Sequence, residues 1–131
     1  MNILNVLKFA ISKPNIPSVI YNHKARYSFE QRSNDSCYIY NDLNKIPLIL
    51  EKDELSKLPE IDITNYILPK NTTVSELMVF LRKKCFGLNK ENMYIFVSNV
   101  NYVPELNEKI GDLYEKFKDN DGFIYCKYTH K

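Results

Sequence analysis

The stretch IDITNYILP, Ile61 to Pro69, constrains the fold of this chain more than any other. Odd positions carry Ile61, Ile63, Asn65 and Ile67; even positions carry Asp62, Thr64, Tyr66 and Leu68. Consecutive strand residues point to opposite faces, so a strand lying on one core shows one apolar row and one polar row. Here both rows turn apolar toward Pro69, a residue that suits the end of a strand or a sheet edge. A strand of this kind asks for apolar cover on both faces.

The flanking segments read as an α+β pattern. KIPLILEK, from Lys45, is a strand with Ile46, Leu48 and Leu50 on one face and Pro47 and Ile49 on the other. The polar loop DELSKLPE separates it from the two-sided strand. TTVSELMVFLRKKCFG then reads as a helix, with Thr73 and Glu76 in a T-x-x-E capping box and Gly87 as its stop. Val74, Leu77, Met78, Leu81 and Cys85 form its core stripe, while Val79 and Phe80 are surplus and give it a second surface to cover. MYIFV, Met93 to Val97, is a third strand. Ile110, Leu113, Tyr114 and Phe117 space a short helix, Asp119 to Gly122 are turn formers, and Phe123 to Tyr128 make the last strand. The order matches a β-grasp, in which a four-stranded mixed sheet wraps one main helix.

Residues 1–24 differ from the rest and are read as an extension, with residues 25–131 as the folded domain. Ile3, Leu4, Leu7 and Ile11 recur at helical spacing, with Asn2, Asn5 and Lys8 mostly opposite, before Pro14 and Pro17 break the pattern. That describes a short amphipathic segment on a flexible arm: a docking helix or a disordered tail. A weak membrane-surface anchor is the other reading.

Several classes of function are disfavoured. A net charge of +2 is too even for an electrostatic nucleic-acid binder. Cys37, Cys85 and Cys126 form neither a disulfide framework nor a zinc pattern, which points to a reduced, cytosolic protein. Cys85, on the apolar stripe, reads as plain packing. No apolar run approaches the roughly 18 residues of a membrane span. A cysteine nucleophile needs a nearby base, yet the histidines are His23 and His130, in the arm region and at the end. Gly87, Gly111 and Gly122 are isolated rather than a phosphate loop, and Arg82-Lys83-Lys84 reads as a solvated helix face. No catalytic residue, metal ligand or cofactor is expected, and the protein is read as a monomer rather than an enzyme.

KIPLILEK, LPEID followed by YILP, TVSELMVFLRKK, YIFV, IGDLYE and DGFIYCKY occur here in the order and spacing of the GABARAP family of ubiquitin-like autophagy modifiers. SFEQR, from Ser28, is similar to the start of that family's N-terminal helical region. The chain resembles the family from about residue 29 to about residue 129. Two departures stand out. SNVNYVPELNEK replaces a double-proline loop and keeps only Pro104, as in a sister modifier that is joined to protein rather than lipid. Gly122 is the last glycine, whereas the family is conjugated through a glycine a few residues beyond the last strand.

The resemblance implies a ubiquitin-like β-grasp preceded by short N-terminal helices that cover the sheet face opposite the main helix. It also implies two pockets for an aromatic-x-x-aliphatic peptide that adds to the sheet by β-augmentation. The first would be formed by Asp35, Ile39, Pro47, Ile49, Ile63, Ile67 and Phe123; the second by Tyr66, Leu68, Pro69, Leu77, Phe80 and Lys84. Lys45 and Lys84 would meet acidic residues flanking the peptide. Asn65, where relatives often carry lysine, and Thr72, where they carry a larger apolar residue, imply an altered peptide preference and a reshaped second pocket. From the residues alone, Ile63, Ile67 and Leu68 are ordinary buried sheet residues.

The implied function is that of an autophagy modifier, cytoplasmic and, when conjugated to phosphatidylethanolamine, on autophagosomal or related membranes. Its partners would be short linear motifs of autophagy receptors and, given a terminal glycine, conjugation enzymes of the ubiquitin-like type. No lipidation residue lies within the chain, so that glycine would follow Lys131. The alternative is an unconjugated peptide-binding adaptor with the same groove.

Overall fold

The computed structural model describes residues 22–84 and 93–130, together with a short strand at Leu7–Lys8. The expectations for Cys85, Gly87 and most of the amphipathic arm fall outside the described residues. Leu7 and Lys8 correct the helical reading of that arm where it is described, because they form a two-residue strand, β1. Apolar spacing within the segment favoured a helix, but an open sheet edge supplies the backbone partners that so short a helix lacks.

Two short helices follow, α1 (His23–Arg26) and α2 (Phe29–Cys37), and α2 runs on into a π-helical turn at Tyr38–Asp42. Ser28 starts α2 with a capping box: its hydroxyl accepts the Gln31 N–H at 3.1 Å, while the Gln31 side chain accepts the Ser28 N–H at 2.9 Å. The chain then forms β2 (Ile46–Lys52), β3 (Asn65–Leu68), α3 (Val74–Lys84), β4 (Met93–Val97), α4 (Ile110–Phe117) and β5 (Ile124–His130). The capping box expected at α3 is present, with the Glu76 carboxylate accepting the Thr73 N–H at 3.0 Å and Thr73 Oγ1 accepting the Glu76 N–H at 3.2 Å. That backbone donor holds the Glu76 carboxyl below its ordinary value.

The sheet order is β1-β3-β2-β5-β4; β2 and β5 pair in parallel at the centre and the other pairs are antiparallel. β2 to β5 form the four-stranded mixed sheet of a β-grasp, and β1 adds to its β3 edge. One face carries Ile46, Leu48, Leu50, Tyr66, Leu68, Ile95, Ile124, Cys126 and Tyr128, packed with Leu77, Met78 and Leu81 of α3 and Leu113 of α4. The opposite face carries Ile49, Ile67 and Tyr125, which pack with Phe123 and with Ile39 of the π-helical turn. Both faces of the sheet are therefore covered, the condition that the two apolar rows of the Ile61–Pro69 stretch demanded.

That stretch is shorter as a strand than its alternation suggested. Ladder pairing with β2 starts at Asn65, preceded by a bond from the Leu50 N–H to the Thr64 carbonyl at 2.8 Å. Ile61 is held out of the strand, since its N–H donates to the Tyr128 hydroxyl at 3.2 Å while that hydroxyl donates to the Pro59 carbonyl at 2.8 Å.

The helical layer is fastened to the sheet through Asp121. Its carboxylate, fully buried, accepts from Arg32 Nε at 2.8 Å, from the Phe123 N–H at 2.9 Å and from the Tyr125 hydroxyl. Ser36 of α2 donates its hydroxyl to the Asp121 carbonyl. Gly122 completes the turn with φ +89°, and a Cβ there would collide with Ser36 Oγ. Removing one partner of a buried ion pair leaves the other charge stranded. Arg32→Ala is therefore expected to lower unfolding free energy in urea by about 3–5 kcal/mol, whereas Ser28→Ala, which only removes a cap, costs about 1 kcal/mol.

Candidate functional site

β3 is the strand at which the two apolar layers meet. On the helical-layer side, Ile39, Ile49, Ile67 and Phe123 of the expected first pocket form one cluster with Tyr125, and Leu43 packs against it. Pro47 is buried and lies opposite Ile67 in the β2–β3 register. Asp35 stands one helical turn before Ile39, half-buried, and its desolvated carboxyl is raised above the ordinary value. Ile63 is placed elsewhere. It precedes the strand, so the alternation does not carry back to it, and it packs with the larger cluster on the α3 side.

On the α3 side, Tyr66, Leu68 and Leu77 belong to the main core and Phe80 packs against it. Phe80 meets Tyr66 edge-on with ring centroids 5.4 Å apart, and Lys84 Nζ sits 5.6 Å from the Phe80 centroid, a cation–π contact. The surplus apolar surface of α3 thus divides: Phe80 covers Tyr66, and Val79 is exposed. Tyr66 donates its hydroxyl to the Ile63 carbonyl, and burial pushes its ionisation well above the usual tyrosine range. Pro69 is half-buried at the strand end. Thr72 lies fully buried behind that corner, its carbonyl accepting the Ile110 N–H at 2.7 Å. Lys45, half-buried, follows Asn44 at φ 54° and donates its N–H to the Ile39 carbonyl at 3.1 Å.

The first cluster has a lid that the sequence reading missed. The buried His23 ring lies 4.9 Å from Phe123, 5.0 Å from Tyr27 and 6.0 Å from Tyr125, between ring centroids. The His23 backbone N–H donates to Glu51 Oε2 at 2.8 Å, and Lys24 Nζ lies 4.8 Å over the Tyr125 ring. Tyr125 was legible, because alternation in the last strand puts it on the Phe123 face; His23 was not, because a four-residue helix carries no periodic signal. Ile39, Ile49 and Phe123 are wholly buried and Ile67 is 7% exposed, so this cluster is closed. All four residues of β3 are buried, and its outer side pairs with β1, Leu7 opposite Ile67 and Lys8 opposite Tyr66.

A β-grasp sheet covered on one face by its main helix and on the other by an N-terminal helical layer defines a ubiquitin-like protein. The family model described as "Autophagy protein Atg8 ubiquitin like" matches residues 31–131. The chain is 35% identical over 107 residues to Autophagy-related protein 8 of Vanderwaltozyma polyspora, covering 81% of this chain and 89% of the relative. It is 37% identical over 86 residues to Autophagy-related protein 8e of Arabidopsis thaliana, covering 66% of this chain and 69% of the relative. Its structure superposes on a crystal structure of Trypanosoma brucei ATG8 with TM-score 0.75 and 27% identity, covering 84% of this chain and 94% of that one. The chain belongs to the Atg8 family of ubiquitin-like autophagy proteins.

His23 makes the closed cluster sensitive to acid. Burial, then the positive charges of Arg32 and Arg26, lower its pKa to about 4. An unfolded histidine takes up its proton near pH 6.5, so below that value the unfolded chain binds a proton that the folded chain refuses. His23 imposes no penalty above pH 6.5 and an increasing one as pH falls toward about 4. Glu51, raised by burial, gives the opposite slope at the acid end of this range. Urea midpoints measured from pH 7 to pH 4 in parallel with His23→Phe isolate the histidine: wild type is expected to lose up to about 1.4 kcal/mol per pH unit more than the variant.

Proposed function

We propose that this protein is an autophagy modifier whose β3 edge binds aromatic-x-x-aliphatic peptides by β-augmentation. One observation carries the reading: the two residue rows of β3 feed separate apolar clusters on opposite faces, Ile67 with Ile39, Ile49 and Phe123, and Tyr66 with Leu68 and Phe80. A peptide strand beside β3 presents its alternate side chains to those same faces. Its aromatic residue would enter the first cluster after the ring lid parts, and its aliphatic residue would settle against Phe80.

Each anchor would contribute about 1.5–3 kcal/mol by burial, and acidic flanks would meet Lys45 and Lys84 for under about 1 kcal/mol. Burial therefore sets affinity, and charge adjusts it. Conjugation to phosphatidylethanolamine on autophagosomal membranes completes the reading, supported by family membership. Gly122 cannot serve as the attachment point, because it is built into the turn against Ser36.

The groove is tested by titrating a fluorescent aromatic-x-x-aliphatic peptide into the protein. Phe80→Ala is expected to weaken binding about tenfold, and Ile67→Glu at least about thirtyfold, in line with anchors of this size. Circular dichroism checks that each variant is folded; unchanged affinity in both folded variants rejects the groove. Intact-mass measurement of the protein from its own cells tests conjugation, with a glycine-terminated chain carrying a lipid adduct as the expected product.

A further inference from the structure

The outer edge of β3 is where the proposed peptide would pair, and in this structure another segment of the same chain is already there. β1 runs antiparallel to β3, and hydrogen-bond phase fixes which groups it meets. Within the β2–β3 ladder, Pro47 stands opposite Ile67 and has no N–H to give, while the Leu50 N–H bonds to the Thr64 carbonyl. Hydrogen-bonded and non-hydrogen-bonded pairs alternate along an antiparallel ladder. The pairs through Thr64, Tyr66 and Leu68 are thus the bonded ones, and the N–H and C=O of Ile67 point outward, away from β2. Leu7 is the residue opposite Ile67 on that outer side, so the Leu7–Ile67 pair carries the β1–β3 bonds and Lys8–Tyr66 does not.

From this we infer that β1, Leu7–Lys8, is a built-in ligand of the β3 edge, occupying it in cis until a competing peptide displaces it. The edge groups of Ile67 pair with one strand at a time, so occupancy in cis excludes occupancy in trans. The segment suits the place. Val6 and Phe9 bracket β1 in sequence with an aliphatic and an aromatic residue three apart, the separation of the proposed peptide in opposite chain order; MNILNVLKFAIS lacks the acidic residues that would meet Lys45 and Lys84, which leaves an acid-flanked peptide the advantage in displacing it. β1 belongs to the same chain as the edge, and covalent linkage raises the effective concentration of a ligand over that of a free one. A two-residue strand is also short enough to be replaced by a longer one. The burial of every β3 residue, Asn65 at 3% included, fits an edge in its occupied state.

The competition half of this inference rests on the peptide-groove reading; the self-pairing half does not. The full-length protein is compared with Leu7→Pro, which deletes the N–H facing Ile67, and with Lys8→Ala, which touches no bonded pair. Two quantities are read: exchange of the Ile67 amide by NMR, and affinity for the aromatic-x-x-aliphatic peptide. Leu7→Pro is expected to speed Ile67 exchange and to tighten peptide binding about tenfold, as when a site about nine-tenths closed is opened; Lys8→Ala moves neither. Unchanged Ile67 exchange in Leu7→Pro overturns the self-pairing. Faster exchange with equal peptide affinity overturns the competition and leaves the groove intact. Faster exchange with no peptide binding in any chain rejects the groove and supports the self-pairing alone.

Discussion

The arrangement around β3 depends on one buried carboxylate. Asp121 holds Arg32 of the helical layer, the Phe123 backbone and the Tyr125 hydroxyl at once, and its carbonyl takes the Ser36 hydroxyl. Arg32 also donates to the Tyr27 carbonyl at 2.6 Å, so α1, α2 and the start of β5 share one polar knot. A buried ion pair of this kind contributes little net energy over an apolar substitute, but it tolerates only one geometry. That geometry brings Ile39 onto Ile49, Ile67 and Phe123. Without it the sheet would keep its main core on α3 and lose the cover of its other face.

Two-sided cover gives the edge strand its character. Most edges face water and are blunted by charge; this one is apolar on both faces, and its outward backbone groups are met by β1. An apolar edge left open is a site for indiscriminate pairing, and β1 covers this one. The His23 lid is a separate closure, made of ring packing over Phe123 and Tyr125.

Much of this architecture was legible in the residues. The order of strands and helices, the Thr73–Glu76 capping box, the α3 stripe through Leu81 and the α4 spacing all follow from local chemistry, and each stands in the structure. The reach of the two-sided strand was less legible. Alternation from Ile61 onward mimicked a long strand, but Tyr128 at the far end of β5 captures the Ile61 backbone and delays the pairing to Asn65. The resemblance grouped Ile63 with Ile67 in one pocket; in the structure Ile63 lies before the paired strand and packs with the cluster on the α3 side.

What the sequence determined by itself was the set of elements from β2 to β5 and the need for two apolar partners around Tyr66 to Leu68, since periodicity and capping act within a few residues of the chain. Which residues meet across the sheet was decided only in three dimensions. No spacing rule connects His23 to Phe123, Arg32 to Asp121 or Leu7 to Ile67, because ring contact, ion pair and strand pairing each join segments far apart in the chain. The arm shows the limit most plainly. Its apolar spacing suited a helix, yet Leu7 and Lys8 became a strand, because the edge of β3 offered backbone partners that the segment could not supply for itself.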